Sequence, residues 1–134
     1  MTKIKVMSIQ ELLCIKHLRS SYKTAIVFVT HKSCYYDFGT TWFTHLDIKD
    51  EDKPHVEDYQ VKRLYALIQS GDRFDTIYVC CDAGLRRSPA IALYIAFHLH
   101  DSELMREIEE THKFMWFELY EELQLVHNRF GDYK

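Results

Sequence analysis

The residues best suited to chemistry form one short run, CDAGLRRS, at positions 81–88. Cys81 can act as a nucleophile once its thiol is ionised, and Arg87 carries a planar guanidinium that can bind two phosphate oxygens at once. Gly84 can adopt the positive φ that a tight loop requires, and the Ser88 hydroxyl can hydrogen-bond the sulfur. Given the composition of this chain, a Cys-x5-Arg with the Gly and the Ser/Thr in place arises by chance in only about one sequence in a thousand.

The elements on either side would place this run where anions bind. Residues 76–80 (TIYVC) predict a buried strand, and the apolar run at 90–99 behind Pro89 predicts a buried helix. In parallel α/β sheets, ligands bind between the carboxyl end of a strand and the N-terminus of the next helix. Backbone N–H groups converging there would bind a phosphate dianion and stabilise the Cys81 thiolate. The predicted phosphate-binding residues are Asp82, Ala83, Gly84, Leu85, Arg86 and Arg87.

The rest of the chain alternates between strand and helix patterns. Further strands are predicted at 4–7, 24–30 and 42–48, and further helices at 9–18, 54–70, 102–112 and 114–128. Ser8 is the predicted N-cap of the first helix, and Tyr59 lies on the predicted apolar face of the second. Strands separated by helices imply crossovers, so we predict a single α/β domain over 1–134, with a mostly parallel central sheet flanked by helices.

Composition and charge narrow the classes of function. A chain of 134 residues that is 47% hydrophobic, with only 4 Gly and 2 Pro, excludes disorder and low-complexity repeats. Residues 1–100 carry 13 Lys/Arg against 11 Asp/Glu, whereas residues 101–134 carry 4 against 9. An anion site is therefore expected in the first hundred residues. No Lys/Arg cluster is dense enough to predict a nucleic-acid surface, so we expect no nucleic-acid partner.

The cysteines indicate reduced thiols and no metal. Cys14, Cys34, Cys80 and Cys81 form no CxxC pair, and there is no HExxH, so we predict neither a metal nor a cofactor. The chain has no cationic N-terminal leader, and its longest uncharged apolar stretch, 88–100, is too short to span a membrane. We therefore expect a cytoplasmic protein with no membrane contact. A disulfide between Cys81 and one of the other three cysteines is a further hypothesis.

Residues 81–88, followed by the helix sequence PAIALYIA, resemble the signature of the cysteine-dependent protein tyrosine phosphatases, and in particular their dual-specificity branch. The resemblance implies hydrolysis of phosphate monoesters on proteins, through a cysteinyl-phosphate intermediate and without metal. Cys81 would attack phosphorus, Arg87 would bind the phosphoryl group, and Ser88 would assist turnover. The expected partner is a phosphorylated protein or peptide.

The same resemblance implies an aspartic general acid some thirty residues before the nucleophile. Residues 46–50 match the family pattern apolar-x-apolar-x-Asp, and Asp50 lies 31 residues before Cys81. Asp50 therefore ranks first as the acid and Asp52 second, while Asp47 would lie within a strand.

Two positions depart from the family pattern. Cys80 stands where His is usual, so the thiolate loses one ordering contact. Arg86 stands where a small residue is usual, and it would either add positive potential at the pocket rim or point to water. The aromatic loop at 31–41 is the predicted wall of the pocket.

Three alternatives stay open from the sequence. The substrate could be a phosphoinositide or an RNA 5′-phosphate, for which Arg86 is a partial match to the basic loops of lipid phosphatases. The chain could instead be a phosphate-reading module without turnover, although Cys81, Arg87 and Ser88 are all present. Sulfur transfer by a rhodanese-like loop is a weaker alternative, because Ser88 and the upstream acid fit a phosphatase better.

Overall fold

The computed structural model describes residues 2–33, 36–70 and 73–130. These ranges contain one sheet of four strands: β1 (Lys3–Ser8), β2 (Thr24–Val29), β3 (Trp42–Leu46) and β4 (Thr76–Cys81). They also contain five helices: α1 (Ile9–Leu13), α2 (Asp58–Gln69), α3 (Arg87–His98), α4 (Ser102–Thr111) and α5 (Phe117–Arg129). The α/β architecture predicted from the alternating pattern is confirmed.

The sheet is parallel throughout and has the order β1-β4-β2-β3. Buried apolar residues fill β2 and most of β4, as expected for central strands covered on both faces. The register pairs Ser8 with Cys81, Cys81 with Val29, and Val29 with Leu46. The carboxyl ends of all four strands are therefore aligned in one row, and Cys81 lies at the centre of it.

Helices cover the two faces of the sheet unequally. On one face, the buried residues of α2, α3, α4 and α5 form a single core with alternate residues of the strands, among them Val27, Val79 and Cys81. On the other face, α1 and an aromatic loop cover a smaller cluster around Phe28 and Cys80. The side chains of neighbouring strand residues point to opposite faces. Cys80 and Cys81 consequently belong to different cores.

The first predicted helix is much shorter than its apolar spacing suggests. Ser8 is its N-cap as predicted, since its hydroxyl accepts the Glu11 N–H and the Glu11 carboxylate accepts the Ser8 N–H. The helix then ends at Leu13, and the following chain adopts the left-handed conformation at His17 (φ 66°). Leu18 still reaches the core. An irregular turn therefore buries the residue that the sequence placed on a helix.

The second helix begins later than predicted and buries a different face. It begins at Asp58 rather than at Pro54, because the chain up to the N-cap Glu57 is extended. Tyr59, predicted on the apolar face, is 52% exposed, and its neighbour Gln60 is buried instead. The Gln60 amide is satisfied there by donating to the carbonyl of Asp47 at 3.1 Å. The helix ends at Gln69, one residue before the predicted end at 70.

The remaining boundaries differ from the predictions by a few residues. The third helix begins at Arg87 instead of residue 90, so the arginine of the anion loop is itself helical. Its first ten residues are all buried, which confirms the prediction of a buried helix. The fifth begins at Phe117 rather than residue 114, and β3 ends at Leu46 rather than residue 48. Asp47, predicted within a strand, therefore lies just beyond one.

Candidate active site

The Cys81 sulfur lies at the bottom of the loop between β4 and α3, with 2% of the residue exposed. The backbone N–H groups of Gly84 and Ser88 donate to it at 3.2 and 3.4 Å. The Ser88 hydroxyl lies 3.2 Å from the same sulfur. Three groups that can donate hydrogen bonds therefore converge on the sulfur.

Gly84 allows the loop to close around this sulfur. Its φ is +73°, the left-handed conformation that favours glycine, as the sequence predicted. A Cβ at this position would also lie 2.5 Å from the backbone nitrogen of Ser8 and 2.6 Å from the carbonyl carbon of Met7. The loop therefore packs directly against the end of β1, with no room for a side chain.

Arg87 is buried and ties three elements together. One terminal nitrogen, Nη1, donates to the carbonyl of Ile48 at 2.8 Å, and the other, Nη2, donates to the Asp82 carboxylate at 3.0 Å. The Nε–H group is buried, and the described residues offer it no hydrogen-bond acceptor. Because a buried donor without an acceptor is costly, Arg87 Nε is suited to an anionic ligand such as a phosphate oxygen.

Asp82 holds the guanidinium in place from the rim of the loop. It accepts hydrogen bonds from Arg87 and from the Thr30 hydroxyl, the latter at 3.0 Å. Partial burial by itself would raise the pKa of Asp82. The two hydrogen bonds and the positive charges of Arg87 and Lys32 outweigh that effect, so its pKa lies below the ordinary value. Asp82 is therefore a carboxylate at neutral pH, and its side chain positions Arg87.

The segment after β3 is fixed against the loop at its base. Ile48 is fully buried, and its carbonyl accepts from Arg87. Gln60 of α2 binds the carbonyl of Asp47 in the same segment. These two contacts bring Asp50, the first-ranked general acid, to the edge of the loop. Asp50 pairs there with the Arg86 side chain.

Arg86 occupies this edge together with Asp50. Its Nε lies 3.2 and 3.3 Å from the two carboxylate oxygens of Asp50. Its guanidinium carbon lies 5.2 Å from the ring centroid of Trp116. Its backbone carbonyl accepts a hydrogen bond from the backbone N–H of Trp116 at 3.0 Å. The Arg86 side chain is 46% exposed and also pairs with Asp50, so it is partly in contact with water and its positive charge at the rim is partly compensated.

The other predicted loop residues have plainer surroundings. Ala83 and Leu85 are exposed, Leu85 to 52%, so they leave the mouth of the loop open. Cys80 is fully buried on the opposite face of the sheet, where its thiol faces the carbonyl of Val27 at 3.6 Å. A disulfide between Cys80 and Cys81 would require the strand to leave the sheet. Cys14 is exposed with a free thiol, and Cys34 lies outside the described residues.

A cavity of about 410 Å³ opens beside Asp82. Its lining includes Lys32, Ser33 and Tyr36 from the aromatic loop, together with Leu13 at the end of α1. The prediction that the loop at 31–41 forms a wall is therefore consistent with its described part, while Tyr35 lies outside the described residues. Asp82, which binds Arg87, is the loop residue that lines this cavity.

Three members of the site were not found from the sequence. Thr30 holds Asp82, the carbonyl of Ile48 holds Arg87, and Trp116 supports Arg86. Thr30 and Ile48 stand at the ends of predicted strands, a position that could have marked them. Trp116 lies far along the chain and carries no signal of its own. Over residues 2–33, 36–70 and 73–130, no group of three His, Cys, Asp or Glu residues could hold a metal ion.

The fold that carries this loop is similar to that of a solved tyrosine phosphatase structure. A solved structure with this fold is OH1 from the Orf virus, a tyrosine phosphatase with triple substrate specificity. The two structures align with a TM-score of 0.56 over 97% of this chain and 83% of OH1, at 16% sequence identity. No protein-family model matches the chain, and no curated protein matches it in sequence. The part of the chain that the structure describes has no helix long and apolar enough to cross a membrane.

Proposed function

We propose that the chain is a phosphatase that hydrolyses phosphate monoesters on proteins, phosphotyrosine above all, with phosphoserine and phosphothreonine as further substrates. The surroundings of the Cys81 sulfur carry this proposal. Two N–H groups and one hydroxyl converge on the sulfur, and the neighbouring Arg87 has a buried Nε for which the described residues supply no acceptor. That combination supplies both a nucleophile and a receptor for a tetrahedral dianion.

The reaction takes place in two steps. Cys81 Sγ attacks phosphorus, so that the S–P bond forms as the bond from phosphorus to the leaving oxygen breaks, and Asp50 donates a proton to that oxygen. Water then attacks the cysteinyl phosphate, and Asp50 takes up a proton from it. The S–P bond breaks, and the sulfur leaves as a thiolate stabilised by Ser88 and the loop N–H groups.

The charge of the rim favours a substrate with one phosphate over a polyanion. The phosphoinositide alternative depends on the positive charge of Arg86. The Nε of Arg86 lies 3.2 Å from Oδ1 of Asp50, so this charge is paired within the chain. The cavity beside Asp82, with Lys32 and Tyr36 in its wall, is suited to side chains that flank a phosphorylated residue. A nucleophilic thiolate also needs a reducing compartment, which supports a cytoplasmic site of action.

The test is turnover by the purified chain. We expect phosphate release from p-nitrophenyl phosphate, and Cys81→Ser should lower it by about a thousandfold or more, because the serine hydroxyl is not ionised at neutral pH. Cys14→Ser is the matched control, since Cys14 is exposed and free, and it should retain full activity. An inactive wild-type chain, or an equally active Cys81→Ser variant, would contradict the proposal.

A substrate panel separates the alternatives. Phosphotyrosine, phosphoserine and phosphothreonine peptides, a phosphoinositide and an RNA 5′-phosphate are compared by kcat/KM. Faster turnover of the lipid or the RNA than of any peptide would contradict a protein substrate and identify the faster compound's class as the substrate. Tight phosphopeptide binding without release of phosphate would identify a binding module instead.

A further inference from the structure

We propose that Arg86 is a positioning residue that holds the carboxyl group of Asp50 over the anion loop in the orientation needed for proton transfer. The inference rests on the proposed function, and within it assigns the Arg86 side chain a task separate from phosphate binding and from proton exchange. It makes the acid step depend on two consecutive arginines with different tasks.

The two arginines hold the acid segment at two points. Arg87 Nη1 binds the carbonyl of Ile48 at 2.8 Å, two residues before the acid, and this contact is buried. Arg86 Nε reaches both carboxylate oxygens of Asp50, at 3.2 and 3.3 Å. The first contact fixes the backbone of the segment, whereas only the second restricts the side chain that must carry the proton.

Arg86 can do this because its own guanidinium is held on the other side. Its guanidinium carbon lies 5.2 Å from the centre of the Trp116 ring, in the range of a cation–π contact. Trp116 is buried, with 4% of the residue exposed, and its backbone N–H donates to the backbone carbonyl of Arg86. A rigid aromatic ring thus supports a flexible side chain, so the Asp50 carboxyl meets a fixed donor.

Stabilising the fold does not explain the contact equally well. The Arg86 and Asp50 side chains are 46% and 38% exposed, and ion pairs that exposed contribute little to folding stability. Orientation has a larger effect, because a general acid works only within hydrogen-bond reach of the leaving oxygen. A protonated Asp50 can still accept the Arg86 N–H through its carbonyl oxygen while its hydroxyl faces the substrate.

The experiment uses the dependence on the leaving group. Phenyl phosphate has a basic leaving oxygen and needs the acid, whereas difluoromethylumbelliferyl phosphate has a weakly basic one and hardly needs it. We expect Arg86→Ser to lower kcat for phenyl phosphate by about tenfold and to change kcat for the umbelliferyl ester by less than about twofold. KM should change little for either ester. In the Asp50→Asn background, Arg86→Ser should have no further effect, because both changes remove the same step.

Lys49→Ser is the matched control. It removes one positive charge from the exposed residue next to Asp50 without breaking the contact, and it should behave as the wild type. Equal losses for both esters, a further loss in the Asp50→Asn background, or no loss with phenyl phosphate while Asp50→Asn is impaired would each overturn the role of Arg86. If Asp50→Asn has no effect, the acid itself is wrongly assigned. If Cys81→Ser has none, the proposed function fails.

Discussion

At the scale of single residues, Gly84 is the loop position at which the backbone conformation and the packing most strongly require glycine. Its positive φ and the 2.5 Å approach of a Cβ to the Ser8 nitrogen make any side chain costly. We expect Gly84→Ala to lower the free energy of unfolding by about 1–3 kcal/mol, since backbone strain adds to a clash with backbone atoms that cannot rotate away. Phosphatase activity should fall with it, because the Gly84 N–H would move from the Cys81 sulfur.

Urea unfolding followed by circular dichroism measures this change. Leu85→Ala is the control in the same loop, since Leu85 is 52% exposed, and it should change the free energy of unfolding by less than about 0.5 kcal/mol. Equal stability of Gly84→Ala and the wild type would mean that the loop can move away from β1.

The types of the residues predict a site formed by one short segment better than they predict a contact between distant segments. Cys81, Gly84 and Ser88 could be assigned roles from the sequence because they act within one turn of chain and their spacing restricts how they meet. The contact of Arg86 with Asp50 spans 36 residues, and neither residue type predicts it. Trp116 is more remote still, since an aromatic residue at helical spacing is ordinarily a packing residue.

At the scale of elements, α3 and α5 meet through a stack of histidines. The rings of His98 and His127 lie 4.0 Å apart, centre to centre, and nearly parallel. Burial raises the pKa of Tyr94, and the Tyr94 hydroxyl forms a hydrogen bond with His127 Nδ1 at 2.7 Å. His98 Nε2 donates to the Gln124 side chain at 2.8 Å. Both imidazoles therefore hydrogen-bond to uncharged partners.

The histidine stack makes stability depend on pH. Burial lowers the pKa of His127 and of His98, and the neighbouring His127 and His100 lower that of His98 further, although its bond to Gln124 opposes this. The unfolded chain then binds more protons than the folded one as the pH falls below about 6.5. The contribution of the two histidines to the free energy of unfolding is therefore fully present above that pH. It is lost as the pH falls through their folded-state pKa values.

We expect the free energy of unfolding to decrease from pH 7.5 to pH 5, as followed by urea unfolding at each pH. His127→Gln, which can still hydrogen-bond to Tyr94, should make this dependence shallower. Leu125→Gln is the control, because Leu125 is 58% exposed on the same helix and does not titrate, and it should leave the dependence unchanged. Burial also lowers the pKa of His112, so part of the slope should persist in every variant. A slope unaffected by His127→Gln would contradict the role given to the stack.

Element types followed from the sequence more reliably than their ends. The apolar spacing of 9–18 is compatible with a helix, yet the left-handed turn at His17 buries Leu18 without one. The start of α2 was missed because Pro54 is a common first residue of helices and here precedes an extended segment. In both cases tertiary packing outweighs local preference.

At the scale of the whole molecule, the site exists only when the sheet is assembled. Thr30 follows β2 and binds Asp82, while Ile48 follows β3 and binds Arg87. Cys81 ends β4 and begins the loop that carries both of these partners. The parallel order of the strands is what brings these three ends to one edge. An anion that binds this edge therefore has no comparable receptor in the unfolded chain.

A tetrahedral oxyanion should consequently stabilise the entire fold. We expect tungstate at a hundred times its dissociation constant to add about 2.7 kcal/mol to the free energy of unfolding and to raise Tm by several degrees. Arg87→Lys should lose most of this increase, because an ammonium replaces the planar fork and leaves no Nε–H for the anion.

Differential scanning calorimetry with and without tungstate compares the increase in Tm within each variant, so a lower starting stability of Arg87→Lys does not affect the result. Arg19→Ser is the control, because Arg19 pairs with Asp37 at an exposed site, and it should keep the full increase. An unchanged increase in Arg87→Lys would place the anion elsewhere on the molecule. An equal increase in Tm in the wild type, Arg87→Lys and Arg19→Ser would indicate a general salt effect. Binding of the anion at the loop would instead depend on Arg87.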